Sequence, residues 1–333
     1  MKVAELGEFG LINLIGDMVG RSLAGGKTPE ELICGIGDDA AAWRCRGEVQ
    51  LATVDSLVQG VHFTLDTISW EELGWKSLAV SLSDIAAMGG NARYALISLA
   101  LPAETLVSEL TGLYRGMLDL AQKTGVALVG GDTCRSPLVT ITITIIGDAV
   151  GGKMLRRSGA RAGDLVAVTG YLGSAAAGLV MLDEKLKLDK GVAAYLGEAF
   201  RRPSPRLAEG RLLVDFGVRA AMDISDGLVI DLGHIAEMSR VGARIRAERV
   251  PIEPRVKESF GARALELALA GGEDYELLFT ASQATITRLK KALPVPVTVV
   301  GEIVPGEAGK VSVVDGRGRK LALARPGWEH FSA

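Results

Sequence analysis

Short segments that place a carboxylate among Gly, Ser, Thr or Ala recur along the chain and are the part of the sequence best suited to chemistry. Six such segments occur: Gly37-Asp38-Asp39-Ala40, Thr53-Val54-Asp55-Ser56, Ser83-Asp84-Ile85-Ala86, Gly130-Gly131-Asp132-Thr133, Asp223-Ile224-Ser225-Asp226-Gly227 and Gly271-Gly272-Glu273-Asp274-Tyr275. Small neighbours let the backbone and a ligand approach closely, and carboxylate oxygens suit Mg2+, which binds together with substrate phosphates. A single Asp-Gly pair would mean little, because it is common in turns that carry no site. Six segments, most of them after a predicted strand, favour a shared multi-metal phosphate site.

Predicted strands and helices must position these carboxylates. In the first half, strands are predicted at 49–54, 94–101, 127–129 and 139–146, and helices at 9–22, 71–88 and 104–123. Residues 139–146 read VTITITII, and this period-2 alternation is typical of a half-buried strand. In the second half, strands are predicted at 165–169, 220–222 and 277–280, and helices at 174–183, 226–239, 261–270 and 283–292. Both halves are therefore predicted to be α/β, of the mixed α+β type.

The length of 333 residues predicts about two domains. The pattern breaks at Gly151-Gly152 and becomes basic at Arg156-Arg157, so we place the boundary near residues 148–152. The predicted domains are 1–150 and 151–333, and both carry carboxylates toward a common cleft.

Composition and charge argue against several function classes. Hydrophobic residues make up 48% of the chain and charged residues 23%, which is typical of a globular protein. The net charge of -3 shows no excess of basic residues, which argues against nucleic acid as a partner. No apolar run reaches the roughly 18–20 residues that span a bilayer, and no secretory signal begins the sequence. Cys34, Cys45 and Cys134 are odd in number and lack zinc spacing, which indicates a reducing cytoplasm.

Other candidate motifs fit less well. Gly25-Gly26-Lys27-Thr28 is similar to the end of a phosphate-binding loop, but Arg21 stands where that motif needs its first Gly, so we predict an exposed loop. No segment has the alternating ligands of a calcium EF-hand. A Ser-His-Asp triad could use only His62, His234 or His330, and no serine lies in a Gly-x-Ser-x-Gly context. We interpret His234, on a predicted helix, as structural.

The order of the motifs resembles that of one family. The motifs are Gly7-Glu8-Phe9 with Leu11-Ile12, then GIGDDAA, TVDSLVQGVHF, LSDIAAMGG, GGDT, RSGARAGD, MDISDGL, GGEDYELLF and the closing WEHF. Over about residues 7–331 they resemble the thiamine-monophosphate kinase family, in the superfamily of aminoimidazole ribonucleotide synthetase and selenophosphate synthetase. GGDT is shared across the superfamily and indicates only ATP with Mg2+. VHF, MDISDGL, GGEDYELLF and WEHF are more specific.

The resemblance implies a two-domain aminoimidazole ribonucleotide synthetase-like fold, with mixed sheets and flanking helices, that forms a homodimer through its first domains. The first domain would bind ATP and Mg2+, and the second would complete the active site. The implied reaction is direct in-line transfer of the terminal phosphoryl group of ATP to thiamine monophosphate, assisted by several Mg2+ ions. Its product is thiamine diphosphate, so this is the last step of thiamine diphosphate biosynthesis.

The resemblance also implies the site residues. The metal ions would bind Asp39, Thr53, Val54 (through its backbone carbonyl), Asp55, Asp84, Asp132, Asp223 and Asp226. ATP would contact Tyr114, Gly131, Asp132, Arg157 and Ser225. The thiamine side would be held by His62, Glu273 and Trp328.

The chemistry of phosphoryl transfer agrees with this assignment. The reaction needs positioning and charge neutralisation more than covalent participation by the protein. Two charges 4 Å apart repel by about 4 kcal/mol at an effective dielectric near 20. Carboxylate-bound Mg2+ and a bidentate arginine such as Arg157 reduce that repulsion. The acceptor phosphate oxygen is already ionised near pH 7, so no general base is assigned.

Simpler roles remain open for several of these residues. Thr53 and Ser225 could only cap or turn the backbone, Arg157 could be a surface side chain, and Trp328 could cover the core. Asp274 could brace its turn. Two other functions also remain open. One is a ligase of the same superfamily, which would use ATP to activate an amide oxygen, and the other is a module that binds Mg2+ and ATP without turnover.

Overall fold

Two six-stranded mixed sheets, one in each half of the chain, form the framework. They are seen in a computed structural model that describes Gly10, residues 31–45 and residues 48–329. The helix predicted at 9–22, apart from Gly10, lies outside the described residues, as do the predicted loop at 25–28 and His330. No helix within the described ranges combines the length and hydropathy needed to cross a bilayer.

The first sheet carries the first four carboxylate segments on or beside its strands and its covering helix. Its strands are Leu32–Cys34 (β1), Ala41–Cys45 (β2), Glu48–Val58 (β3), Asn91–Leu101 (β4), Ala127–Arg135 (β5) and Thr140–Ala149 (β6). Their spatial order is β1-β2-β3-β6-β4-β5. All neighbours are antiparallel except β4 and β5, which are joined by the crossover helix that parallel strands need. In β6, Ile141, Ile143 and Ile145 are buried and the threonines between them are half-buried, as the alternation predicted.

The second sheet has the spatial order β12-β9-β11-β7-β10-β8 and lies among seven of the helices. Its strands are Leu165–Thr169 (β7), Ala220–Asp223 (β8), Gly242–Arg246 (β9), Leu277–Ala281 (β10), Val297–Val304 (β11) and Val311–Val314 (β12). The helices of the described chain are Trp70–Ala87 (α1), Val107–Thr124 (α2), Ser174–Asp183 (α3), Lys190–Arg201 (α4), Leu207–Asp215 (α5), Leu228–Met238 (α6), Pro254–Phe260 (α7), Arg263–Ala270 (α8) and Gln283–Ala292 (α9). Short 3-10 turns occur at Val150–Gly152 and Ala247–Arg249. The domain boundary near 148–152 stays a prediction.

Helix α1 joins the two halves. It begins at Ser69, whose side chain accepts a hydrogen bond from the backbone N–H of Glu72, while the Glu72 carboxylate accepts one from the Ser69 N–H in return. Most of its side chains are buried, because it packs against β3, β6 and α2 on one side and against α5 and β8 on the other. Across this boundary, Trp75 Nε1 donates to the Pro203 carbonyl at 2.8 Å. Functional side chains on α1 are therefore held between the halves.

Two strands continue past the points where the sequence predicted their ends. The predicted strand at 49–54 extends to Val58, so Asp55 lies inside β3 rather than after it. The prediction that this strand ends at 129, just before Gly130-Gly131, is wrong, because β5 runs on to Arg135. The Gly pair allows this close pairing, since a Cβ on Gly131 would lie 1.7 Å from the Ile97 carbonyl oxygen of β4. A glycine pair that signals a turn locally here serves close strand approach.

The close contact between α1 and α2 predicts that Gly116 contributes strongly to stability. A methyl group on Gly116 would lie 1.8 Å from the Glu71 carbonyl oxygen, whereas one on Gly112 would lie 3.5 Å from Trp70 Cβ and 3.8 Å from the Glu71 nitrogen, which is ordinary contact. We expect Gly116→Ala to lower the free energy of unfolding by about 1–3 kcal/mol or more, because the helices must separate. Gly112→Ala should lie within about 1 kcal/mol of wild type, since Ala favours helix. Urea unfolding checks this, and equal effects of the two substitutions would contradict it.

Candidate active site

A cavity of about 730 Å³ lies between the two halves, and most of the predicted site residues line it. These residues are Asp39, Thr53, Val54, Asp55, His62, Asp84, Arg157, Asp223, Ser225, Asp226, Glu273 and Trp328. They come from the loop before β2, from β3 and the loop after it, from α1, and from the end of β8 and loops of the second half. Residues far apart in sequence therefore meet at one surface.

Three carboxylates from three different segments form the centre of the cavity. Asp39, Asp84 and Asp223 each offer one oxygen, and these oxygens lie within 4.8 Å of one another. The hydroxyl of Thr53 donates to Asp84 Oδ2, and that of Ser83 donates to Asp223 Oδ2, both at 2.5 Å. Asp39 Oδ2 is buried and has no hydrogen-bond partner among the described residues. Because a buried polar atom normally has a partner and Mg2+ prefers carboxylate oxygens, this donor set fits a divalent cation.

Crowding and burial disfavour the charged forms of these carboxylates. Burial raises the pKa of Asp84 well above its ordinary value, and the charges of Asp55, Asp223 and Asp39 raise it further. Burial, followed by the charge of Asp39, raises the pKa of Asp223 to about 7. Burial also raises the pKa of Asp55. A nearby cation would reverse this effect, because opposite charge favours the ionised form.

Arg157 lies beside this cluster and is largely buried rather than a surface side chain. Its Nε and Nη2 both donate to Asp39 Oδ1, at 3.1 and 2.7 Å, and its side chain is 19% exposed. Its backbone N–H donates to Asp38 Oδ1 at 3.1 Å. Burial and the charge of Asp39 raise the pKa of Asp38 to about 6. The guanidinium is thus held at the cavity wall, where a phosphate could approach it.

The three predicted thiamine-side residues line the same cavity. The Val58 N–H donates to His62 Nδ1 at 3.0 Å, which fixes the ring. Glu273 follows the Gly271-Gly272 pair and accepts from a buried lysine, Lys76, at 3.0 Å. Trp328 is 50% exposed, and its backbone N–H donates to the Asp226 carbonyl at 3.0 Å.

Three predicted residues lie away from this cavity within the chain. Gly131 and Asp132 belong to the exposed strand β5, which is separated from β3 by β6 and β4. At a strand spacing of about 4.8 Å, that distance is roughly 14 Å. Tyr114 lies on α2 and lines a different groove, of about 560 Å³, together with Val107 and Leu118. The ATP and metal roles of these three residues stay predictions.

Sequence reasoning missed some residues that shape the site. Lys76 is fully buried and Ser83 holds Asp223, yet both lie in what reads as an ordinary helical stretch. Asp231 is fully buried, and its Oδ2 accepts from the backbone N–H groups of Asp226 and Gly227 at 3.3 and 3.0 Å. The signal available for Lys76 was a single charge inside an apolar run, WKSLAVSL.

Asp274 stabilises the turn that contains it, which is one of the alternatives left open by the sequence. Its carboxylate accepts from the backbone N–H groups of Gly173 at 2.8 Å and Ala175 at 3.4 Å, at the start of α3. Burial raises its pKa to about 7, although these hydrogen bonds oppose the shift. The neutral acid is therefore favoured in the folded protein below about pH 7.

This shift predicts how stability depends on pH. An acid whose folded pKa is raised stabilises the fold most below its unfolded pKa, near 3.8, and loses that contribution as pH rises through about 7. We expect Asp274→Asn to flatten the fall in unfolding free energy between pH 4 and 7, by up to about 1.4 kcal/mol per pH unit. Denaturant titrations of both proteins at several pH values measure the difference in slope. Parallel curves would show that Asp274 does not titrate this way.

Comparisons with known proteins agree with this geometry. Family models of AIR synthase related proteins match residues 37–149 (N-terminal domain) and 161–314 (C-terminal domain). Thiamine-monophosphate kinase of Bacillus subtilis is 39% identical over 307 residues, covering 89% of this chain and 93% of that protein. Thiamine-monophosphate kinase of Escherichia coli K12 is 39% identical over 332 residues, covering 98% of each.

Solved structures of such kinases have the same fold. A complex described as AaThiL with AMPPCP and TMP superposes with a TM-score of 0.86 at 34% identity, covering 99% of each chain. Thiamine-monophosphate kinase of Stenotrophomonas maltophilia superposes with a TM-score of 0.76 at 36% identity, covering 92% of this chain and 96% of that one. The predicted two-sheet α/β fold is confirmed. The chain belongs to the thiamine-monophosphate kinase family of AIR synthase related proteins.

Proposed function

We propose that this chain transfers the terminal phosphoryl group of ATP to the phosphate of thiamine monophosphate, giving thiamine diphosphate and ADP. The observation that carries this function is one cavity in which the carboxylate cluster and Arg157 share a wall with His62, Glu273 and Trp328. The curated relatives bear the name of this activity, and the AaThiL complex holds an ATP analogue together with TMP.

Asp39, Asp84 and Asp223 would hold Mg2+ at the centre of the site, with Thr53, Asp55, Asp226 and the Val54 carbonyl around them. When bound, Mg2+ supplies positive charge that neutralises the facing phosphates. Arg157 adds a planar fork of donors that suits a phosphate, and Ser225 adds a contact to the nucleotide. The acceptor oxygen is already ionised, so these residues bind, orient and neutralise rather than remove a proton.

His62 has a defined tautomer in this scheme. Since its Nδ1 accepts the Val58 N–H at 3.0 Å, the neutral ring carries its proton on Nε2. His62 is then a hydrogen-bond donor at Nε2 on the proposed thiamine side of the site. This role needs no charge on the ring.

The direct test is to mix the protein with ATP, Mg2+ and thiamine monophosphate and to follow ADP and thiamine diphosphate together. We expect both products in equal amounts, with none when thiamine monophosphate is omitted. Radiolabel from the terminal phosphate of ATP should not remain on the protein, because transfer is direct. ADP without thiamine diphosphate would favour the ligase alternative, and binding of ATP and Mg2+ without either product would favour the binding module.

We also propose a homodimer formed through the first sheet. Among the described strands, β5 is one of the two edges of that sheet and is exposed along nearly its whole length, and exposed edges invite pairing. The half-buried Thr face of β6 and the exposed Tyr94 and Leu96 of β4 lie in the same sheet. We expect sedimentation at micromolar concentration to give twice the mass of one chain, and a monomer at that concentration would contradict this proposal.

Cys34, Cys45 and Cys134 are all free, which suits the reducing cytoplasm as the proposed location.

A further inference from the structure

A lysine of α1 is completely buried beside the cavity. Lys76 has no exposed surface, and its Nζ lies 3.0 Å from each carboxylate oxygen of Glu273, a residue 197 positions away in the chain. The same Nζ lies 3.7 Å from the centroid of the Phe200 ring, which belongs to α4. A buried ammonium group is unfavourable unless it is paired. The first half of the chain therefore contributes a charge that contacts a carboxylate of the second half.

Glu273 itself is held in an uncommon conformation. Its φ is 60°, in the left-handed region that costs energy for a residue with a side chain. Its backbone N–H donates to the Ser225 carbonyl at 2.7 Å, and this hydrogen bond stabilises the turn that contains Glu273. Its side chain is 24% exposed and lines the cavity, while Lys76 contacts both oxygens from the buried side. Lys76 thus holds the carboxylate on its buried side, and the carboxylate oxygens can still accept a hydrogen bond from a group in the cavity.

We propose that Lys76 is a positioning residue that holds the Glu273 carboxylate aimed as the acceptor for an amino group of the substrate. This inference rests on the proposed function, in which the thiamine side lies at Glu273. The only primary amino group of thiamine monophosphate is on its pyrimidine ring, so this pair would select the aminopyrimidine. Lys76 acts only through Glu273 and touches neither the substrate nor the phosphates.

The experiment compares Lys76→Met, Glu273→Gln and the double variant with wild type. The substrates are thiamine monophosphate and an analogue that carries hydrogen in place of the pyrimidine amino group. Lys76→Met should raise KM for thiamine monophosphate by about tenfold or more, because a charge-assisted hydrogen bond is lost. The turnover number and KM for ATP should stay within about twofold, since the contact is made equally in ground and transition states. With the analogue, wild type and Lys76→Met should have similar KM values.

Lys123→Met is the matched control. Lys123 also lies over an aromatic ring, 4.5 Å from the centroid of Trp75, but it is exposed and makes no contact with Glu273. It should leave both KM values unchanged. The double variant removes both charges and leaves no unpaired one, so it keeps the test possible if Lys76→Met alone does not fold. Its KM for thiamine monophosphate should equal that of Glu273→Gln, because Lys76 has no effect apart from Glu273.

Several results would overturn the proposal. Lys76→Met could raise KM for thiamine monophosphate and KM for ATP equally, or could leave both KM values unchanged. The double variant could also lose much more affinity for thiamine monophosphate than Glu273→Gln does. An analogue that is as sensitive to Lys76→Met as thiamine monophosphate would also contradict it. Failure of the proposed function looks different, because wild type itself would then make no thiamine diphosphate.

Discussion

Replacing Asp84 by Asn should reduce turnover by about a hundredfold or more while leaving the fold intact. Asp84 lies at the centre of the site, with one oxygen within 4.8 Å of those of Asp39 and Asp223. Asn keeps the size of the side chain but removes the charge that would hold Mg2+ opposite clustered phosphates. Turnover at saturating Mg2+ measures the loss. Asp55→Asn and Asp132→Asn should have effects of the same order if the carboxylates act as one unit.

Stability separates this effect from simple misfolding. Without a divalent cation, Asp84→Asn should be at least as stable as wild type, because it relieves like-charge repulsion in a buried cluster. Added Mg2+ should raise the Tm of wild type, since it binds the folded state, but should raise that of the variant much less. Asp119→Asn, on the exposed face of α2, is the control. If all three site variants kept near wild-type turnover, the idea of a shared metal site would be wrong.

Trp328→Ala should weaken thiamine monophosphate binding by about 2- to 30-fold and leave ATP binding nearly unchanged. Trp328 lines the cavity and is half exposed, and an aromatic face suits a cationic thiazolium. A cation over an aromatic face gains roughly 0.5–2 kcal/mol, which sets the size of the expected effect. Isothermal titration of each ligand, with the non-hydrolysable ATP analogue AMPPCP in place of ATP, measures both affinities.

Trp328→Phe provides the matched comparison, because it keeps an aromatic face while removing the indole N–H. We expect it to retain most of the affinity for thiamine monophosphate. The backbone N–H of residue 328 still donates to the Asp226 carbonyl in both variants, so the chain end keeps its place. Equal losses of ATP and thiamine monophosphate affinity in Trp328→Ala would refute the thiamine-side role.

Local sequence pattern predicted the elements well where burial follows the period of the element. The Thr/Ile alternation of β6 was read correctly, because Ile141, Ile143 and Ile145 face the core while β6 pairs with β3 and β4. The same reasoning failed at Gly130-Gly131, where the pair serves close approach of β5 to β4 rather than a turn. It also could not show that α1 is buried on nearly all sides, since that depends on packing against both halves of the chain.

The sequence by itself determined the family, the carboxylates and the mixed α/β architecture, because ordered motifs and hydrophobic periods are local properties of the chain. Only the tertiary structure decided which side chains meet. It brought Asp39, Asp84 and Asp223 together, paired Arg157 with Asp39, and joined Lys76 to Glu273 across 197 positions. It also left Asp132 and Tyr114 away from the cavity of their own chain. These contacts arise because both halves pack on α1, and no local pattern specifies which faces such packing brings into contact.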